Sequence, residues 1–442
     1  MCCRAYRRSA VKQFAVAGLP LLCHCALRED SERLQADKNM REHKTAMPEV
    51  TVWRVFCGLL ALALLFHFAA KADARPNRME FYTADPAQAA LPPGTLIRFE
   101  KLPMPAFFRA KGWRILYATR DYRGSPILSS GVVVLPDYAA ANPTARTIVA
   151  WAHPTTGIAR HCAPSLSSEP LATISGLNEL VTAGHIITAT DYPGLGTVGP
   201  MGYLVGKGQA YAVIDSIRAA KQIPGVGGGK RYALWGYSQG AHAVLFAAIA
   251  ALRYAPELQP VGVAATAPPT DLGVLLEKNL DTTAGRIIGS YAIGSWAAKY
   301  GLPMQAIATP SVIADIQRID KDCVSRPSEM ISALEEQQML GSDFLSANPA
   351  TVPGWRQAIT ENSLFDLPHT MPVLIQQGSI DRIVRPSVTT TFVRNTCRNG
   401  VPVDYIVLNQ KGHGTSADAS VPAAISWIND RFAGAPAPST CR

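Results

Sequence analysis

The chain has 442 residues, of which 48% are hydrophobic and 17% charged, a composition typical of a folded globular protein with a sizeable core. Its net charge at pH 7 is +9; residues 1–74 hold 11 Lys and Arg and 7 Asp and Glu, so residues 75–442 carry +5. The basic residues are scattered, without a Lys or Arg run or interleaved aromatic residues, which argues against a nucleic-acid-binding surface.

The segment 47–74 has the features of a targeting sequence. Arg54 precedes an apolar run over 55–66, and the small residues Ala72-Asp73-Ala74 follow it. A basic start, a short apolar segment and an Ala-x-Ala site are the parts of a secretory signal peptide. We therefore predict cleavage near Ala74 and secretion to an extracellular or periplasmic space, with an uncleaved membrane anchor as the alternative.

Residues 1–46 show no apolar periodicity that would predict helices or strands. Met47 lies shortly before Arg54, as a start does in a secretory signal. Our hypothesis is that translation begins at Met47 or Met40 and that 1–46 is an over-extended reading frame or an unstructured N-terminus. The N-terminal sequence of the secreted protein tests this hypothesis, and the presence of 4–44 in that protein would refute it.

From about Gly131 onward, short β-rich runs alternate with helical patterns. This alternation predicts a mostly parallel sheet with helices on both faces. Apolar runs predict buried strands at 131–135, 147–151, 185–189, 232–235, 261–265, 373–375 and 405–408. Helical patterns lie at 175–183, 208–222, 241–252, 387–397 and 421–432.

The alternation is interrupted over 268–370, where helical patterns occur without a strand pattern. An insertion at this place predicts a helical cap over a site at the strand ends. Its apolar segment Ile287–Ala298 is interrupted by glycines and is interpreted either as the buried core of the cap or as a lipid-facing lid or acyl-chain tunnel. We treat 75–442, including the cap, as one domain.

A sharp strand-to-helix turn is predicted at Gly236–Gly240, whose sequence is Gly-Tyr-Ser-Gln-Gly. The apolar run Arg231–Trp235 precedes it, and the alanine-rich stretch Ala241–Leu252 follows it as a predicted helix. In such a nucleophile elbow the serine is exposed at the turn, and glycines two residues to either side avoid backbone collisions. The motif and its context therefore predict that Ser238 attacks a carbonyl carbon.

A serine hydroxyl needs a neighbouring base, usually a histidine that is oriented by a carboxylate. His413 follows the last predicted strand in a glycine-flanked loop ahead of the terminal helix, and Asp381 follows the strand 373–375, so we expect them to be base and acid. The order Ser238, Asp381, His413 is that of α/β-hydrolases and predicts this fold, with the cap between the nucleophile and acid strands. Less well-placed alternatives are Asp366, Asp404 and Asp418 for the acid, and His153, His161, His185, His242 and His369 for the base.

Main-chain N–H groups are expected to bind the negative charge that develops on the attacked carbonyl oxygen. Gln239 begins the helix after the serine, so its N–H is the first expected donor of this oxyanion hole. The second should come from the loop after 147–151, which reads His-Pro-Thr-Thr from His153. Because proline has no N–H, Thr155 is favoured, with His153, Thr156 or a donor elsewhere as alternatives.

Four cysteines follow the predicted signal peptide, which favours two disulfides in an exported chain and allows three connectivities. The most economical pairing joins Cys162 to Cys323 and Cys397 to Cys441. No two of the four have the short spacing of zinc-ligand pairs, so no metal is expected. The stretch 194–199 matches Gly-x-Gly-x-x-Gly, but a loop continues after it where a helix is required, so no nucleotide cofactor is expected either.

Several of these segments occur together in an unusual combination: Asp191–Gly196, the helix from Gly208, Gly236–Ala243, Cys162–Ser165 and the loops of Asp381 and His413. Together they resemble the secretory lipase family of the yeast lipase A type over about 96–441. The resemblance implies a capped α/β-hydrolase without a metal, ester hydrolysis through Ser238, Asp381 and His413, and Gln239 N–H as an oxyanion donor. It also supports both disulfides. The chain departs from the family at His153-Pro154, where the family has an acidic residue, and at Gln239, where it has glycine.

The combined prediction is a secreted lipase or esterase that acts on medium to long acyl esters, as a triacylglycerol lipase does, through an acyl-enzyme. Its substrates would be small-molecule or lipid esters, and the cap would make transient contact with a lipid interface. The alternatives are another serine acyl hydrolase or an acyltransferase, such as a polyester depolymerase or a peptidase. A binding protein with this fold and a silent site is the alternative outside catalysis.

Overall fold

The computed structural model describes residues 78–324, 344–367, 369 and 371–441. Every strand predicted from the sequence is present within them. The strands are β1 Leu96–Leu102, β2 Ala110–Arg120, β3 Pro126–Pro136, β4 Ile148–Ala152, β5 Ile186–Thr190, β6 Arg231–Tyr237, β7 Gln259–Thr266, β8 Val373–Gly378 and β9 Val403–Leu408. They form one nine-stranded sheet in the order β1-β2-β3-β5-β4-β6-β7-β8-β9. The strands from β5 to β9 in this order are parallel, as predicted, and β1, β2 and β3 are antiparallel to their neighbours.

The antiparallel strands β1 and β2 were not predicted from the sequence. β2 is buried along most of its length, but Arg114 lies in its middle and interrupts the apolar pattern. The structure accommodates this guanidinium through an ion pair with Glu100 of β1 and a hydrogen bond of 2.8 Å from its Nε to the carbonyl oxygen of Ser165. A buried cation with such partners is tolerated. The partners come from other segments, so the apolar pattern of β2 alone does not predict that Arg114 is buried in a strand.

Helices cover both faces of the sheet, as predicted. They are α1 Pro86–Ala89, α2 Leu177–Thr182, α3 Gly206–Ala220, α4 Gln239–Tyr254, α5 Leu272–Asn279, α6 Thr283–Tyr300, α7 Pro310–Ile319, α8 Pro353–Glu361, α9 Pro386–Arg398 and α10 His413–Ala433. Strand β4 shows the two faces: Ile148 and Ala150 belong to the core with α3, α4 and α9, while Val149 and Trp151 belong to the core with α2 and α10. Successive side chains of a strand point to opposite faces, so a buried parallel strand serves two cores.

The insertion between β7 and β8 is helical. Helices α5, α6, α7 and α8 lie in it, and its described residues form no strand apart from an isolated bridge between Gly157 and Cys323. The predicted helical insertion between these two strands is therefore confirmed in the described residues as a feature of the fold.

Both predicted disulfides are present in the structure. Cys162 is joined to Cys323 and Cys397 to Cys441, with Cα–Cα distances of 5.4 and 5.5 Å. The first joins the loop after β4 to the segment after α7, and the second joins α9 to the C-terminal tail. The predicted signal peptide and the segment 1–46 lie outside the described residues. No described helix is long and apolar enough to cross a membrane.

Candidate active site

Ser238 lies at a sharp turn between β6 and α4. Its φ of 55° is in the left-handed region, which is unusual for a residue with a side chain. A Cβ on Gly236 would collide with the carbonyl oxygen of Gly240, and a Cβ on Gly240 would collide with that of Ala152 at the end of β4. Both glycines of the motif are thus required by close backbone approach, as the sequence predicted for a nucleophile elbow.

The structure brings the three predicted residues together at the carboxyl ends of the strands. Ser238 Oγ lies 2.9 Å from His413 Nε2, and His413 Nδ1 lies 2.8 Å from Asp381 Oδ2. Ser238 follows β6, Asp381 follows β8 and His413 follows β9. These distances are hydrogen-bond distances, so serine, imidazole and carboxylate form a continuous chain.

The carboxylate of Asp381 is buried and held from several sides. Its Oδ1 accepts hydrogen bonds of 2.9 Å from the N–H groups of both Ile383 and Val384, and its Oδ2 accepts one of 3.2 Å from Gln377 Nε2. These donors fix the carboxylate so that its remaining contact faces His413. Gln377 was not identified from the sequence, although a glutamine within the buried strand β8, four residues before the acid, is a usable signal.

His413 is the first residue of α10, so its prediction as a residue of a loop ahead of the terminal helix was wrong. The helix begins eight residues before the predicted 421 because Gly412 is a favourable N-cap and its N–H donates to Thr415 Oγ1 at 3.0 Å. The carbonyl oxygen of His413 accepts a hydrogen bond of 2.7 Å from Tyr237 OH, a second positioning contact that the sequence did not reveal.

The alternative histidines occupy other environments. Burial lowers the pKa of His242 to about 4, and it also lowers the pKa values of His153 and His185. His242 Nε2 lies 2.8 Å from the carbonyl oxygen of Asn362, and His185 Nε2 lies 2.7 Å from Asn429 Oδ1. These are neutral structural side chains, since desolvation disfavours the imidazolium.

The alternative acids also lie elsewhere. Asp366 is exposed and accepts a hydrogen bond from Asn399 Nδ2 at 2.7 Å. Asp404 lies within β9, where burial raises its pKa, and Asp418 is exposed on α10. Of the aspartates predicted for this role, Asp381 is the one within hydrogen-bond distance of His413.

The two expected oxyanion donors come from the start of α4 and from the loop after β4. Gln239 is the first residue of that helix, where N–H groups have no acceptor within the helix. Thr155 lies in the loop after β4, and its Oγ1 is 2.8 Å from Tyr203 OH. A Cβ on Gly240 would also approach the carbonyl oxygen of His153, so this loop passes close to the helix start. The use of either N–H remains a prediction.

A cavity of about 50 Å³ opens beside Ser238. Its wall is mostly apolar and comes largely from α5 and α6. The segment Ile287–Ala298, interpreted from the sequence as cap core or as a lid or acyl-chain tunnel, contributes to both the core and the cavity wall. Residues such as Ile287 and Ile293 are buried in the core, while Ile288, Gly289, Ala292 and Trp296 line the cavity.

One group of possible metal ligands occurs among the described residues: His161, Cys162 and Cys323. Both cysteines are joined in the disulfide and supply no thiolate, which a metal would require. The group is therefore structural and gives no reason to invoke a metal.

A serine, an aspartate and a histidine in this chain order, at the ends of a mostly parallel sheet with a helical insertion, define an α/β-hydrolase. The secretory lipase family model matches residues 171–440, and the chain belongs to that family. Lipase 6 of Candida albicans is 25% identical over 83% of each chain, and a secreted triacylglycerol lipase of Malassezia globosa is 24% identical over 79% of each. The crystal structure of Candida antarctica lipase A has a TM-score of 0.70 and 18% identity, and the match covers 83% of this chain and 89% of that one. The family and fold predictions are confirmed, and the protein is a lipase or esterase, a carboxylic ester hydrolase, of the secretory lipase family.

Proposed function

We propose that Ser238, His413 and Asp381 are the catalytic triad of this lipase and that it works through an acyl-enzyme. The observation that carries the proposal is the continuous chain of two hydrogen bonds, 2.9 and 2.8 Å long, beside an apolar cavity. The strained backbone of Ser238 and the three donors that hold the Asp381 carboxylate besides His413 support it, because both fix the reacting groups before substrate arrives.

The steps follow from this geometry. His413 Nε2 takes the hydroxyl proton as Ser238 Oγ attacks the acyl carbon, and Asp381 stabilises the imidazolium. The N–H groups of Gln239 and Thr155 bind the oxyanion. His413 then gives the proton to the leaving alcohol, which leaves the acyl group on Ser238. A water molecule, deprotonated by His413, attacks this ester in turn, and the acid is released with the triad restored.

The apolar cavity wall supports medium to long acyl chains as the natural substrates. Leu272, Leu275, Leu276 and Ile288 offer the chain an environment that excludes water. The name of the Malassezia globosa relative points to triacylglycerols as the parent substrates. Such substrates collect at interfaces, and the helical cap, which covers the cavity, is the part of the fold through which the enzyme would contact them.

We also propose that the protein is exported through a signal peptide over 47–74, which is cleaved near Ala74. The secretory family supports an exported protein, and two disulfides are typical of oxidising compartments. N-terminal sequencing of the secreted protein tests the cleavage position.

Hydrolysis of p-nitrophenyl esters from C2 to C16 tests the triad and the cavity together. The protein beginning at Arg75 should hydrolyse C8 or longer esters best, and Ser238→Ala should lower kcat by at least about 10⁴-fold. A maximum at C2 to C4 would indicate a short-chain esterase. Equal activity of the wild type and Ser238→Ala would refute the role of the serine.

A substitution in the cavity wall separates chain-length selection from catalysis. Ala292 is buried on α6 and lines the cavity, so Ala292→Leu should lower kcat/KM for C10 about tenfold relative to C4. Ala298→Leu, on the exposed side of the same helix, is the matched control and should leave the C10 to C4 ratio unchanged. An equal C10 to C4 ratio in the two variants would indicate that the acyl chain does not lie against Ala292.

A further inference from the structure

The main chain of Tyr203, in the segment before α3, is bound to the helical cap. Its N–H donates to Ser295 Oγ at 2.8 Å, and its carbonyl oxygen accepts from Trp296 Nε1 at 2.9 Å. Ser295 and Trp296 are neighbours on α6, the helix that supplies much of the cavity wall. Both main-chain polar groups of Tyr203 are therefore bound to one turn of the cap helix, which fixes the position of this residue.

The side chain of Tyr203 contacts the predicted oxyanion loop, the loop after β4. Its hydroxyl lies 2.8 Å from Thr155 Oγ1, which is a hydrogen-bond distance. Tyr203 is buried, and burial raises the pKa of its phenol above the ordinary value, so the hydroxyl stays protonated at neutral pH. Tyr203 thus joins α6 to the residue whose N–H is the expected second oxyanion donor.

Both ends of this connection lie beside the nucleophile. Tyr203 lines the cavity together with Ser238 and Gln239. The predicted oxyanion loop packs against the first turn of α4, since a Cβ on Gly240 would lie 2.9 Å from the carbonyl oxygen of His153. A shift of the loop therefore changes the position of its N–H groups relative to the carbonyl group that Ser238 attacks.

The neighbouring residues of the loop are held by other partners. The carbonyl oxygen of His153 accepts from Tyr192 OH at 3.0 Å, and that of Thr156 accepts from Val324 N–H at 3.0 Å. The hydrogen bond with Tyr203 reaches the expected donor residue that lies between them. Loss of the Tyr203 hydroxyl should therefore displace this residue slightly, while the other contacts keep the loop in place.

We propose that Tyr203 is a positioning residue for ester hydrolysis, because its hydroxyl, held in place by α6, sets the position of the Thr155 N–H in the oxyanion hole. The proposal rests on the proposed function, since it takes Ser238 as the nucleophile and Thr155 as the second donor. An oxyanion donor is effective when it lies about 2.7–3.1 Å from the oxyanion, so a small displacement lowers kcat without weakening substrate binding. The cap is then part of the catalytic geometry as well as the wall of the acyl cavity.

The test compares p-nitrophenyl octanoate with its thionoester, in which sulfur replaces the carbonyl oxygen. Sulfur is a weak hydrogen-bond acceptor, so an oxyanion hole with well-placed donors favours the ester. Tyr203→Phe keeps the ring in the cavity wall and removes only the hydroxyl. We expect kcat for the ester to fall about tenfold at nearly unchanged KM, and the ester-to-thionoester ratio of kcat/KM to fall several-fold.

Tyr122→Phe is the matched control. Tyr122 OH donates to the carbonyl oxygen of Lys299 on the same helix α6 at 2.9 Å, so the variant also removes a tyrosine hydroxyl bound to the cap. It leaves the contact between Tyr203 and Thr155 intact, and both kcat and the ester-to-thionoester ratio should stay at their wild-type values. The ratio compares two substrates on one preparation, so it does not depend on the fraction of enzyme that is folded.

Thr155→Val tests the same hydrogen bond from its other end. It keeps the main-chain N–H and the side-chain shape but removes the hydroxyl, so it should lower the ester-to-thionoester ratio as Tyr203→Phe does. The double variant should lose no more than the more affected single variant, because both changes remove one hydrogen bond.

Three outcomes would overturn the inference: an unchanged ester-to-thionoester ratio in Tyr203→Phe, losses that add in the double variant, or a loss confined to the KM of long-chain esters. The last would assign Tyr203 to the acyl cavity wall alone. Failure of the proposed function has a different signature, since Ser238→Ala would then hydrolyse the octanoate ester as fast as the wild type.

Discussion

The carboxyl edge of the sheet, where the proposed triad lies, and the helical cap each contain a buried carboxyl group, and the two carboxyl groups have different surroundings. At the sheet edge, the Asp381 carboxylate has partners on both oxygens, and His413 is held through its ring and its carbonyl oxygen. In the cap, Asp320 at the end of α7 presses its carboxyl group against Gly294 of α6, and its buried Oδ1 has no partner among the described residues. Hydrogen bonds hold both groups of the proposed triad, whereas the Asp320 carboxyl is buried in the cap with one oxygen unpaired. Substitutions at the edge should therefore change activity most, and substitutions in the cap should change stability or selectivity.

The largest effect is expected at the sheet edge. Asp381→Asn should lower kcat about 10⁴-fold with little change in Tm, because the amide favours the wrong histidine tautomer and cannot stabilise the imidazolium. Ester hydrolysis and thermal unfolding of the same preparation measure both quantities. Asp366→Asn is the matched control, since this exposed aspartate was an alternative acid in the sequence, and it should leave kcat unchanged. An equal loss in the control would contradict the assignment.

Removal of Cys162–Cys323, the disulfide between the predicted oxyanion loop and the helical cap, should lower both stability and activity. Cys162–Cys323 connects the loop of Thr155 with the segment after α7, where Val324 N–H also donates to the carbonyl oxygen of Thr156 at 3.0 Å. The double variant Cys162→Ala/Cys323→Ala should lose about 2–5 kcal/mol of unfolding free energy, and kcat should fall because the loop is less fixed.

The second disulfide is the control for this experiment. Cys397–Cys441 spans 44 residues rather than 161 and joins α9 to the tail, away from the predicted oxyanion loop. Its double alanine variant should lose less stability, because the cost of closing a chain loop grows with loop length, and it should keep its kcat. Denaturant unfolding measures the loss of stability, and ester hydrolysis measures kcat. A larger kcat loss in the Cys397/Cys441 variant than in the Cys162/Cys323 variant would contradict the expectation that the first disulfide fixes the predicted oxyanion loop.

The smallest effect on activity is expected at Asp320, where the expected change is in stability and depends on pH. Burial raises the pKa of this carboxyl from 3.8 to about 8. Below pH 4 the group is protonated in the folded and the unfolded chain; between pH 4 and 8 it ionises only in the unfolded chain, so stability is lost as pH rises. Asp320→Asn removes this loss, and its Tm advantage should grow from pH 4 to pH 8 and then level off. The exposed Asp430→Asn should show no such trend, and a constant difference for Asp320→Asn would contradict the burial of a neutral carboxyl.

The sequence could predict those features that depend on patterns within short segments. The buried strands, the glycines around Ser238 and the placement of Asp381 and His413 after strands all depend on short segments. Partners supplied by distant segments could not be predicted in the same way. Arg114 is buried in β2 because Glu100 and Ser165 are there to bind it, and Gln377 supports the acid only because β8 directs it to the following turn. The start of α10 was misplaced because the glycines around His413 indicate a loop, whereas an N-cap glycine is also compatible with a helix start.

The 175-residue separation between Ser238 and His413 has a consequence for biosynthesis. Contacts between residues that are far apart in the sequence form late in folding, because the intervening chain must first lose conformational entropy. During synthesis the N-terminal part of the chain leaves the ribosome first. The nucleophile elbow can form once β6 and α4 have emerged, but its base arrives only with the first turn of the last helix. If the proposed triad is correct, nascent chains should be inert toward esters, and the onset of hydrolysis during refolding should report docking of α10 rather than collapse of the sheet.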